Sequence, residues 1–455
     1  MAKPCTLEFG ADELHLQVPD NADVLRLPPD PLLVNPGHTI QRALHAPIGT
    51  VPLADLVRAK RRLKNPLRAC IVVSDNTRPV PYQGDQGILE PVISLLRVQQ
   101  VSEIEILVAN GTHRALSEAE LRRFLPESVF ANRMRVTNHV CTDRSQLRLL
   151  GRTRRGTEVW INRHYMEADI KILTGLVEPH FMAGASGGAK SICPGLVGQE
   201  ATHIFHGAEM MSNSRASSLV LDGNPCREES QNVASMAGAD FIVNVTLNRD
   251  RQVTGVYAGD VTSAYHAAVE RLKASAGIPV ASPYDVVLTH AGFVGINHYQ
   301  AAKSCVEAAR AVRSGGSIIV AANHTDIDPV GSPNYRRVLP MLRELGVDGF
   351  ERRIRQPDWR FVPDQWEVQM WGRVFRKLGR FDTLVYCSPQ LTGDAFTEAG
   401  IPGDDGGAGL TGLAGRDLAE AMVQHVVDGT IAANPQARLA VLADGPYGVP
   451  IVRGA

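Results

Sequence analysis

The chain has 455 residues, of which 44% are hydrophobic and 21% are charged. This length fits two or three domains and excludes a single small module, and the composition excludes global disorder. Lysine and arginine number 47 against 48 aspartate and glutamate, for a formal charge of -1, so no overall electrostatic field favours nucleic acid or an anionic membrane as a partner.

The sequence indicates neither a membrane anchor nor secretion. No window holds the roughly 18 apolar residues that a transmembrane helix requires. The first residues, MAKPCTLEFGADELHLQ, lack the apolar core of a signal peptide, so we expect a cytoplasmic protein without membrane contact. The seven cysteines are scattered and form no CxxC pair, which favours buried thiols over a zinc or redox site.

Short β-branched segments alternate with helix-like segments along the chain. This pattern is typical of α/β layers with mainly parallel sheets, and we predict two α/β domains. The predicted strands are, in chain order, Ala69–Ser74, Ile104–Ala109, Ile170–Leu173, Phe241–Leu247, Val286–Thr289, Ser317–Ala321, Thr383–Tyr386 and Leu439–Leu442.

A segment with Pro, Gly and Ser, Gly277–Tyr284, follows a helical stretch and precedes a strand, which indicates a domain boundary. We predict an N-terminal α/β domain over residues 1–277 and a C-terminal α/β domain over residues 283–400. Residues 401–455 begin with a Gly- and Asp-rich loop and continue with a helix and a strand. We expect the Gly- and Asp-rich segment, residues 400–415, to be a mobile surface loop or a linker that returns to the first domain.

Polar turns follow the first two predicted strands, at the sheet edge where ligands gather in open α/β sheets. The first turn, SDNTRPVP, contains Asp75, which can accept hydrogen bonds, and Arg78, which can hold a carboxylate in bidentate fashion. An internal Asp75–Arg78 ion pair that only holds the turn explains these residues equally well. The second turn, NGTHR, contains His113, either a general base or an ordinary surface histidine.

The densest group of candidate residues is HFMAGASGGAKSICPG, which runs from His180 to Gly195. Its small residues allow backbone amides to approach an anion closely, and Lys190 adds a positive charge or an amine nucleophile. We therefore predict a phosphate-bearing ligand. The stretch nearly matches the P-loop pattern G-x-x-x-x-G-K-S, but Ala189 stands where the second glycine is required. A P-loop phosphotransferase is the alternative.

Two further groups could bind a metal or a substrate. His203 and His206 are three residues apart and would share a helix face, where imidazole suits zinc or nickel; ordinary polar histidines are the alternative. Gln300 and Lys303 lie on one face of a helix predicted from His298 to about Arg313. They could bind a substrate carboxylate or form an exposed first turn.

The side chain of a tryptophan, Trp366, either lines an apolar pocket or packs in the core.

In this combination and order, the motifs SDNTRPVP (74–81), NGTHR (110–114), HFMAGASGGAKSICPG (180–195), His206 and YQAAK (299–303) resemble the nickel-pincer-nucleotide-dependent lactate racemase family. The resemblance covers about residues 70–390. It implies an active site in the cleft between the two domains, with the N-terminal domain binding the cofactor.

The resemblance implies a nickel-pincer nucleotide cofactor, a pyridinium mononucleotide with two thiocarboxyl-type groups that hold nickel. Lys190 would tether it covalently, His206 would be the protein ligand of nickel, and separate biosynthetic proteins would supply it. The loop would hold the nucleotide phosphate, and Asp75 would orient the cofactor or Arg78. The loop residues implied at the cofactor are Gly184, Ser186, Gly187 and Gly188.

The same resemblance implies that His113 and His180 are the acid/base pair, one on each face of a small 2-hydroxy acid. One histidine would deprotonate the 2-hydroxyl as the α-hydrogen leaves as hydride, and hydride return to the other face of the 2-oxo acid would invert C2. The implied substrate-binding residues are Arg78, Tyr299, Gln300, Lys303 and Trp366.

Two segments depart from the family pattern: Gly292–Gly295 and the run ANHTDIDP that contains His324. Both could approach the substrate side chain, which predicts a 2-hydroxy acid larger or more polar than lactate, such as malate, an aromatic lactate or a sugar acid. A non-catalytic nickel or nucleotide carrier is a further alternative. Which 2-hydroxy acid is the substrate, whether the enzyme is a racemase or an epimerase, and whether the chain forms a homo-oligomer do not follow from the sequence.

Overall fold

The computed structural model describes residues 2–407 and 410–453. Within these ranges the strands are β1 (Ala2–Phe9), β2 (Asp12–Pro19), β3 (Asp23–Leu25), β4 (Arg68–Ser74), β5 (Glu103–Ala109), β6 (Arg135–Asn138), β7 (Leu147–Arg152), β8 (Glu158–Asn162), β9 (Ile170–Leu176), β10 (Pro179–His180), β11 (Gly184–Ala185), β12 (Phe241–Leu247), β13 (Val253–Gly259), β14 (Gly277–Val280), β15 (Tyr284–His290), β16 (Val312–Ala321), β17 (Leu384–Cys387), β18 (Leu439–Leu442) and β19 (Val449–Val452).

The helices in the same ranges are α1 (Pro36–His45), α2 (Leu53–Leu63), α3 (Leu89–Val98), α4 (Glu118–Phe124), α5 (Glu127–Ala131), α6 (Arg163–Glu167), α7 (Gln199–Phe205), α8 (Ala208–Met211), α9 (Pro225–Ala237), α10 (Ser263–Ala276), α11 (His298–Ala311), α12 (Pro333–Arg353), α13 (Gln365–Leu378), α14 (Asp394–Glu398) and α15 (Gly415–Ala433). In the described part of the chain, no helix combines the length and the apolar character needed to cross a bilayer.

The unit formed by Pro29–Ser275 is built on a six-stranded sheet in the order β13-β12-β9-β4-β5-β6. All neighbours are parallel except β12 and β13. Its central strands read as nearly continuous apolar runs, such as CIVV in β4, because helices cover both faces of a parallel sheet. The core includes Ile71, Val73, Ile106 and Val243, all fully buried.

The second unit combines the residues up to Pro28 with those from Ala276 onward. Its five-stranded sheet has the order β17-β16-β15-β18-β3, with all neighbours parallel. The early strand β3 belongs here because Val24 pairs with Val441 of β18. The observed division at Ser275 lies close to the predicted boundary, but residues 2–28 and the described part of 401–455 group with the C-terminal unit rather than with the N-terminal one.

The two α/β units with mainly parallel sheets confirm the predicted fold class, and each of the eight predicted strands overlaps an observed one. The antiparallel hairpin of β1 and β2 was not predicted. Two residues of the predicted Gly-rich loop, Ala408 and Gly409, lie outside the described residues. All seven cysteines lie in the described ranges, are buried and form no disulfide bond, as expected.

Two helix ends differ from the prediction. Helix α11 ends at Ala311 rather than near Arg313, because β16 begins at Val312. Helix α7 ends at Phe205, so His206 caps the C-terminus of this helix and does not lie within it. The carbonyl of Thr202 accepts a hydrogen bond from the His206 amide at 2.8 Å, which fixes the backbone at this end.

Candidate active site

The adjacent parallel strands β4 and β5 bring their carboxyl ends together, and the polar turns that follow them meet at this edge. Nδ1 of His113, in the turn after β5, lies 2.6 Å from Oδ2 of Asp75, which directly follows β4. In the same turn the amide of Gly111, whose φ is +57°, donates to the carbonyl of Gly195 at 3.0 Å. The NGTHR turn therefore contacts both the SDNTRP turn and the end of the glycine loop.

Asp75 is a buried carboxylate, 5% exposed. Its Oδ1 accepts hydrogen bonds from the backbone amide of Thr77 at 3.2 Å and from the Thr77 hydroxyl at 2.5 Å. Burial raises the pKa of Asp75, but the hydrogen bonds from His113 and Thr77 outweigh it and lower the pKa overall. An ionised Asp75 keeps the ring proton of His113 at Nδ1, so that Nε2 is the basic nitrogen.

Arg78 pairs with Glu178 rather than with Asp75, and the turn is not held by the internal ion pair considered from the sequence. Nε of Arg78 lies 3.2 Å from Oε1 of Glu178, and both side chains are about one third exposed. Sequence reasoning missed Glu178, although it stands only two residues before His180, where the glycine-loop motif begins. A carboxylate at the end of an apolar strand was the signal that could have identified it.

His180 lies in a short hairpin in which it pairs with Gly184 across β10 and β11. Its Nδ1 accepts hydrogen bonds from the amides of Met182 at 3.3 Å and Ala183 at 3.2 Å. Because Nδ1 is an acceptor here, the neutral ring carries its proton at Nε2. His113 and His180 thus have opposite tautomers: one has a basic Nε2, and the other has a protonated Nε2.

The glycine loop has its tight conformation because side chains would not fit. Gly184, Gly187 and Gly188 all have positive φ. A Cβ at Gly184 would lie 2.3 Å from the carbonyl oxygen of Val220, and one at Gly188 would lie 2.6 Å from Cδ2 of Tyr265. These glycines are needed for the packing of the loop itself.

Several donors of this loop are already used within the chain. The amide of Ser186 donates to the carbonyl of Glu178, and the amide of Gly188 donates to Oδ1 of Asn244, both at 3.0 Å. The Ser186 hydroxyl donates to the carbonyl of Leu176 at 2.7 Å. Ser186 and Gly188 can therefore donate these groups to a phosphate only by giving up existing bonds.

The end of this loop does not have the P-loop geometry. Residues Gly188–Ser191 form one short 3₁₀ turn, and the next helix, α7, begins only at Gln199. A P-loop requires the glycine turn to lead directly into a helix whose N-terminus faces the phosphates. This difference, together with Ala189, disfavours the phosphotransferase alternative.

Lys190 and His206 have unusual acid/base properties. Burial, assisted by the positive charge of Arg78, lowers the pKa of Lys190 to about 8. Burial, followed by the charges of Lys190 and His113, lowers the pKa of His206 to about 3. At neutral pH, His206 is therefore an uncharged imidazole, and a fraction of Lys190 is a neutral amine.

The other unit contains its own group of predicted site residues, at the start of α11 and of α13. The indole Nε1 of Trp366 donates to the hydroxyl of Tyr299 at 2.9 Å. Nζ of Lys303 donates to Oε1 of Gln300 at 2.6 Å, as their shared helix face predicted.

Glu367, which no sequence pattern singled out, is 1% exposed next to Trp366. Burial, followed by the charge of Asp364, raises the pKa of Glu367 to about 8, although Lys303 acts to lower it.

The two segments that depart from the family pattern are bonded to each other. Nδ1 of His324 lies 2.8 Å from the carbonyl of Gly295, and Nδ2 of Asn297 donates to Oδ2 of Asp326 at 2.7 Å. Nε2 of the buried His324 lies 2.9 Å from the hydroxyl of Tyr386. Their conformations are therefore coupled.

Across residues 2–407 and 410–453, no three His, Cys, Asp or Glu side chains converge in a way that could hold a metal ion.

Comparisons with known proteins agree on one family. The family model "Lactate racemase N-terminal domain" matches residues 9–218. A lactate racemase from Lactiplantibacillus plantarum is 31% identical over 340 residues, which cover 74% of this chain and 77% of that protein. A lactate racemase from Thermoanaerobacterium thermosaccharolyticum is 29% identical over 374 residues, which cover 81% of this chain and 85% of that protein.

The fold is also similar to solved structures. The lactate racemase apoprotein from T. thermosaccharolyticum matches with a TM-score of 0.81 and 25% identity, over 99% of this chain and all of that one. A Thermotoga maritima protein solved by a structural genomics consortium matches with a TM-score of 0.61 at 16% identity, which shows the fold alone.

Proposed function

Because this chain belongs to the lactate racemase family, we propose that it is an isomerase that inverts C2 of a 2-hydroxy acid, with lactate as the first substrate to test. The observation that carries this proposal is the pair of histidines fixed in opposite tautomers, His113 by Asp75 and His180 by two backbone amides. Inversion needs one group that accepts a proton and one that donates it, and the roles exchange in the reverse direction.

The residues of the Pro29–Ser275 unit fit the nickel-pincer nucleotide. A thioamide tether requires a lysine amine that can lose its proton, and Lys190 has a pKa of about 8. A nickel ligand must be a neutral imidazole, and the pKa of His206 is about 3. One protein ligand suffices only when the cofactor supplies the others. This requirement accords with the lack of a metal-binding cluster among the described residues.

When bound, the cofactor supplies a hydride acceptor and donor, so that C2 passes through a planar 2-oxo acid. The residues of this chain do the remaining work. Nε2 of His113, made basic by the ionised Asp75, accepts the proton of the 2-hydroxyl in one direction. Nε2–H of His180 donates a proton to the 2-oxo oxygen, and the two residues exchange roles in the other direction.

The substrate carboxylate needs cations, and Arg78 and Lys303 are the two that we propose to bind it. In this structure Arg78 pairs with Glu178, and Lys303 donates to Gln300, so both cations are oriented by neighbours. Tyr299, Gln300 and Trp366 complete the proposed substrate-binding set. The coupled departures at Gly295 and His324 favour a substrate larger or more polar than lactate.

The test uses protein produced in a host that makes the nickel-pincer nucleotide through its own biosynthetic proteins. We expect an intact mass increased by one nucleotide adduct, mapped to Lys190, about one nickel per chain, and interconversion of the enantiomers of a 2-hydroxy acid on a chiral column. Lys190→Arg is the matched control, since it retains the charge but cannot form the adduct. Unmodified, nickel-free protein from such a host, with no turnover of any acid tested, would contradict the proposal.

A Lys303→Ala variant separates an enzyme from a carrier. We expect it to retain the Lys190 adduct and the nickel but to lose turnover through a raised KM, with Lys303→Arg partly restoring it. Full loading with unchanged turnover would contradict the proposed role of Lys303. A wild-type protein that loads fully but turns over no 2-hydroxy acid would favour the carrier alternative.

A further inference from the structure

Arg227 is a buried cation to which the reaction above assigns no role. It lies in the first turn of α9 and is 3% exposed. In the part of the chain that the structure describes, its Nε and Nη1 are buried and have no hydrogen-bond acceptor, and no carboxylate forms an ion pair with it. Burial lowers its pKa. Burying a charge without a partner is costly, so this arrangement requires an explanation.

The nearest carboxylates of α9 bind elsewhere. Glu228 pairs with Arg155, with 2.8 Å between Oε2 and Nη2. Oε1 of Glu229 accepts a hydrogen bond from the Thr153 hydroxyl at 2.6 Å. Oε2 of Glu229 has no hydrogen bond and lies 3.7 Å from Nε of Arg155. Both glutamates thus pair with Arg155, and among the described residues no carboxylate pairs with Arg227.

Arg227 is connected to the glycine loop through one tyrosine. The guanidinium carbon lies 3.7 Å from the centre of the Tyr265 ring, a separation typical of a cation–π contact. The hydroxyl of Tyr265 donates to the carbonyl of Ala185 at 3.1 Å. The same ring packs so closely on Gly188 that a Cβ there would lie 2.6 Å from Cδ2. The Tyr265 ring therefore contacts both the Arg227 guanidinium and the glycine loop.

The loop needs a cation if it is to hold a phosphate. The amides of Ser186 and Gly188 and the Ser186 hydroxyl are already bonded within the chain. Lys190, the cation on the loop, is assigned to the covalent tether and would lose its charge on forming it. A guanidinium keeps its charge at all physiological pH values and binds phosphate through paired N–H groups.

We propose that Arg227 forms a binding site for a phosphoryl group, that of the mononucleotide cofactor. This assignment rests on the proposed function. The Arg227–Tyr265 stack holds the charge beside the loop, and the phosphoryl oxygens provide acceptors for Nε and Nη1.

The experiment measures binding to the purified chain, without covalent loading, by calorimetry. Three probes are used. Nicotinic acid mononucleotide has a pyridinium ring, a ribose and a phosphate; nicotinic acid riboside lacks the phosphate; and inorganic phosphate is the third. We expect the mononucleotide to bind more tightly than the riboside and to be displaced by inorganic phosphate. Arg227→Gln should weaken mononucleotide binding about tenfold to a hundredfold and leave riboside binding unchanged.

Two further variants keep the test decisive. Arg227→Lys retains the positive charge but lacks the paired N–H groups of the guanidinium, so it should bind the mononucleotide with intermediate affinity. Arg62→Gln changes an exposed arginine in the same unit and should have no effect. In phosphate-free buffer, Arg227→Gln should be at least as stable to urea as the wild type, since it removes an uncompensated buried charge.

The outcomes separate this proposal from the proposed function. Three results would overturn the site: Arg227→Gln weakens mononucleotide and riboside binding equally, Arg227→Gln binds the mononucleotide with wild-type affinity, or neither phosphate probe binds the wild type. None of these results contradicts the racemase, which a Lys190 adduct in a cofactor-making host still supports. Arg227-dependent binding of inorganic phosphate without any preference for the mononucleotide assigns the site to free phosphate and overturns the nucleotide assignment.

Discussion

Nδ1 of His113 lies 2.6 Å from the buried carboxylate of Asp75, across 38 residues of sequence. This contact converts a histidine in an exposed turn, with its side chain 59% exposed, into one with a defined tautomer. A carboxylate behind an imidazole orients the ring and stabilises the charge that the ring acquires when it accepts a proton.

We therefore expect Asp75→Asn to lower kcat about a hundredfold or more, which is the usual contribution of a positioned general base. The asparagine side chain of this variant cannot keep the proton at Nδ1 of His113 as the Asp75 carboxylate does. Loading at Lys190, measured by intact mass, should not change. The control is Asp55→Asn, which alters a half-exposed helix position in the same unit. A variant with wild-type kcat and full loading would show that Asp75 does not act through His113.

The lowered pKa of Lys190 predicts how its reactivity changes with pH. Only the neutral amine is a nucleophile, so acylation of Lys190 in the unloaded protein should rise with pH through a midpoint of about 8 and then level off. The measurement is competitive labelling with acetic anhydride, read by mass spectrometry against an added lysine peptide, whose unperturbed amine has a pKa of about 10.4. Parallel pH profiles for Lys190 and the peptide would contradict the predicted shift.

The packing of Gly188 predicts a loss of both stability and loading. In Gly188→Ala the new Cβ would lie 2.6 Å from Tyr265 at a φ of +58°, so the ring must move or the loop must change conformation. We expect a loss of about 1–3 kcal/mol in the free energy of unfolding and a severely reduced fraction of the Lys190 adduct.

Gly429→Ala is the matched control for this substitution, because Gly429 lies within α15 with nothing within 4 Å of its added Cβ. It should be neutral or raise stability by up to about 1 kcal/mol. Urea unfolding monitored by circular dichroism compares the two variants. If Gly188→Ala were as stable as the control and loaded normally, the loop would not depend on this glycine.

The sequence predicted local features better than long-range ones. The runs CIVV in β4 and IIVA in β16 are too apolar and β-branched for surface segments, so their strands could be predicted from the residues alone. The placement of β3 could not, because its partner β18 lies more than 400 residues later and no local pattern encodes that pairing.

The candidate site shows the same limit. The spacing of His180, Lys190 and His206 identified the glycine loop, whereas the Asp75–His113 and Arg78–Glu178 contacts depend on how the strand ends meet. Arg227 was missed because an arginine in the first turn of a helix resembles any solvated surface cation. Only its burial against Tyr265 distinguishes it.

The buried Glu367 predicts a stability difference that depends on pH. Burial, assisted by Asp364, raises its pKa to about 8 in the folded chain, whereas an unfolded glutamate has a pKa of about 4.3. Between these values the unfolded chain has released the proton and the folded chain has not, so stability falls as the pH rises. Within residues 2–407 and 410–453, no group forms a hydrogen bond with Oε1 of Glu367.

Glu367→Gln retains the shape of the side chain and removes the titration. The variant should therefore gain stability relative to the wild type as the pH rises from about 5 to about 8, and the difference should level off above that. Urea unfolding at several pH values measures this difference, with the exposed Glu398→Gln in the same unit as the control. A difference that stays constant over this range would show that Glu367 ionises in the folded chain as readily as in the unfolded one, which would mean that Lys303 fully compensates for its burial.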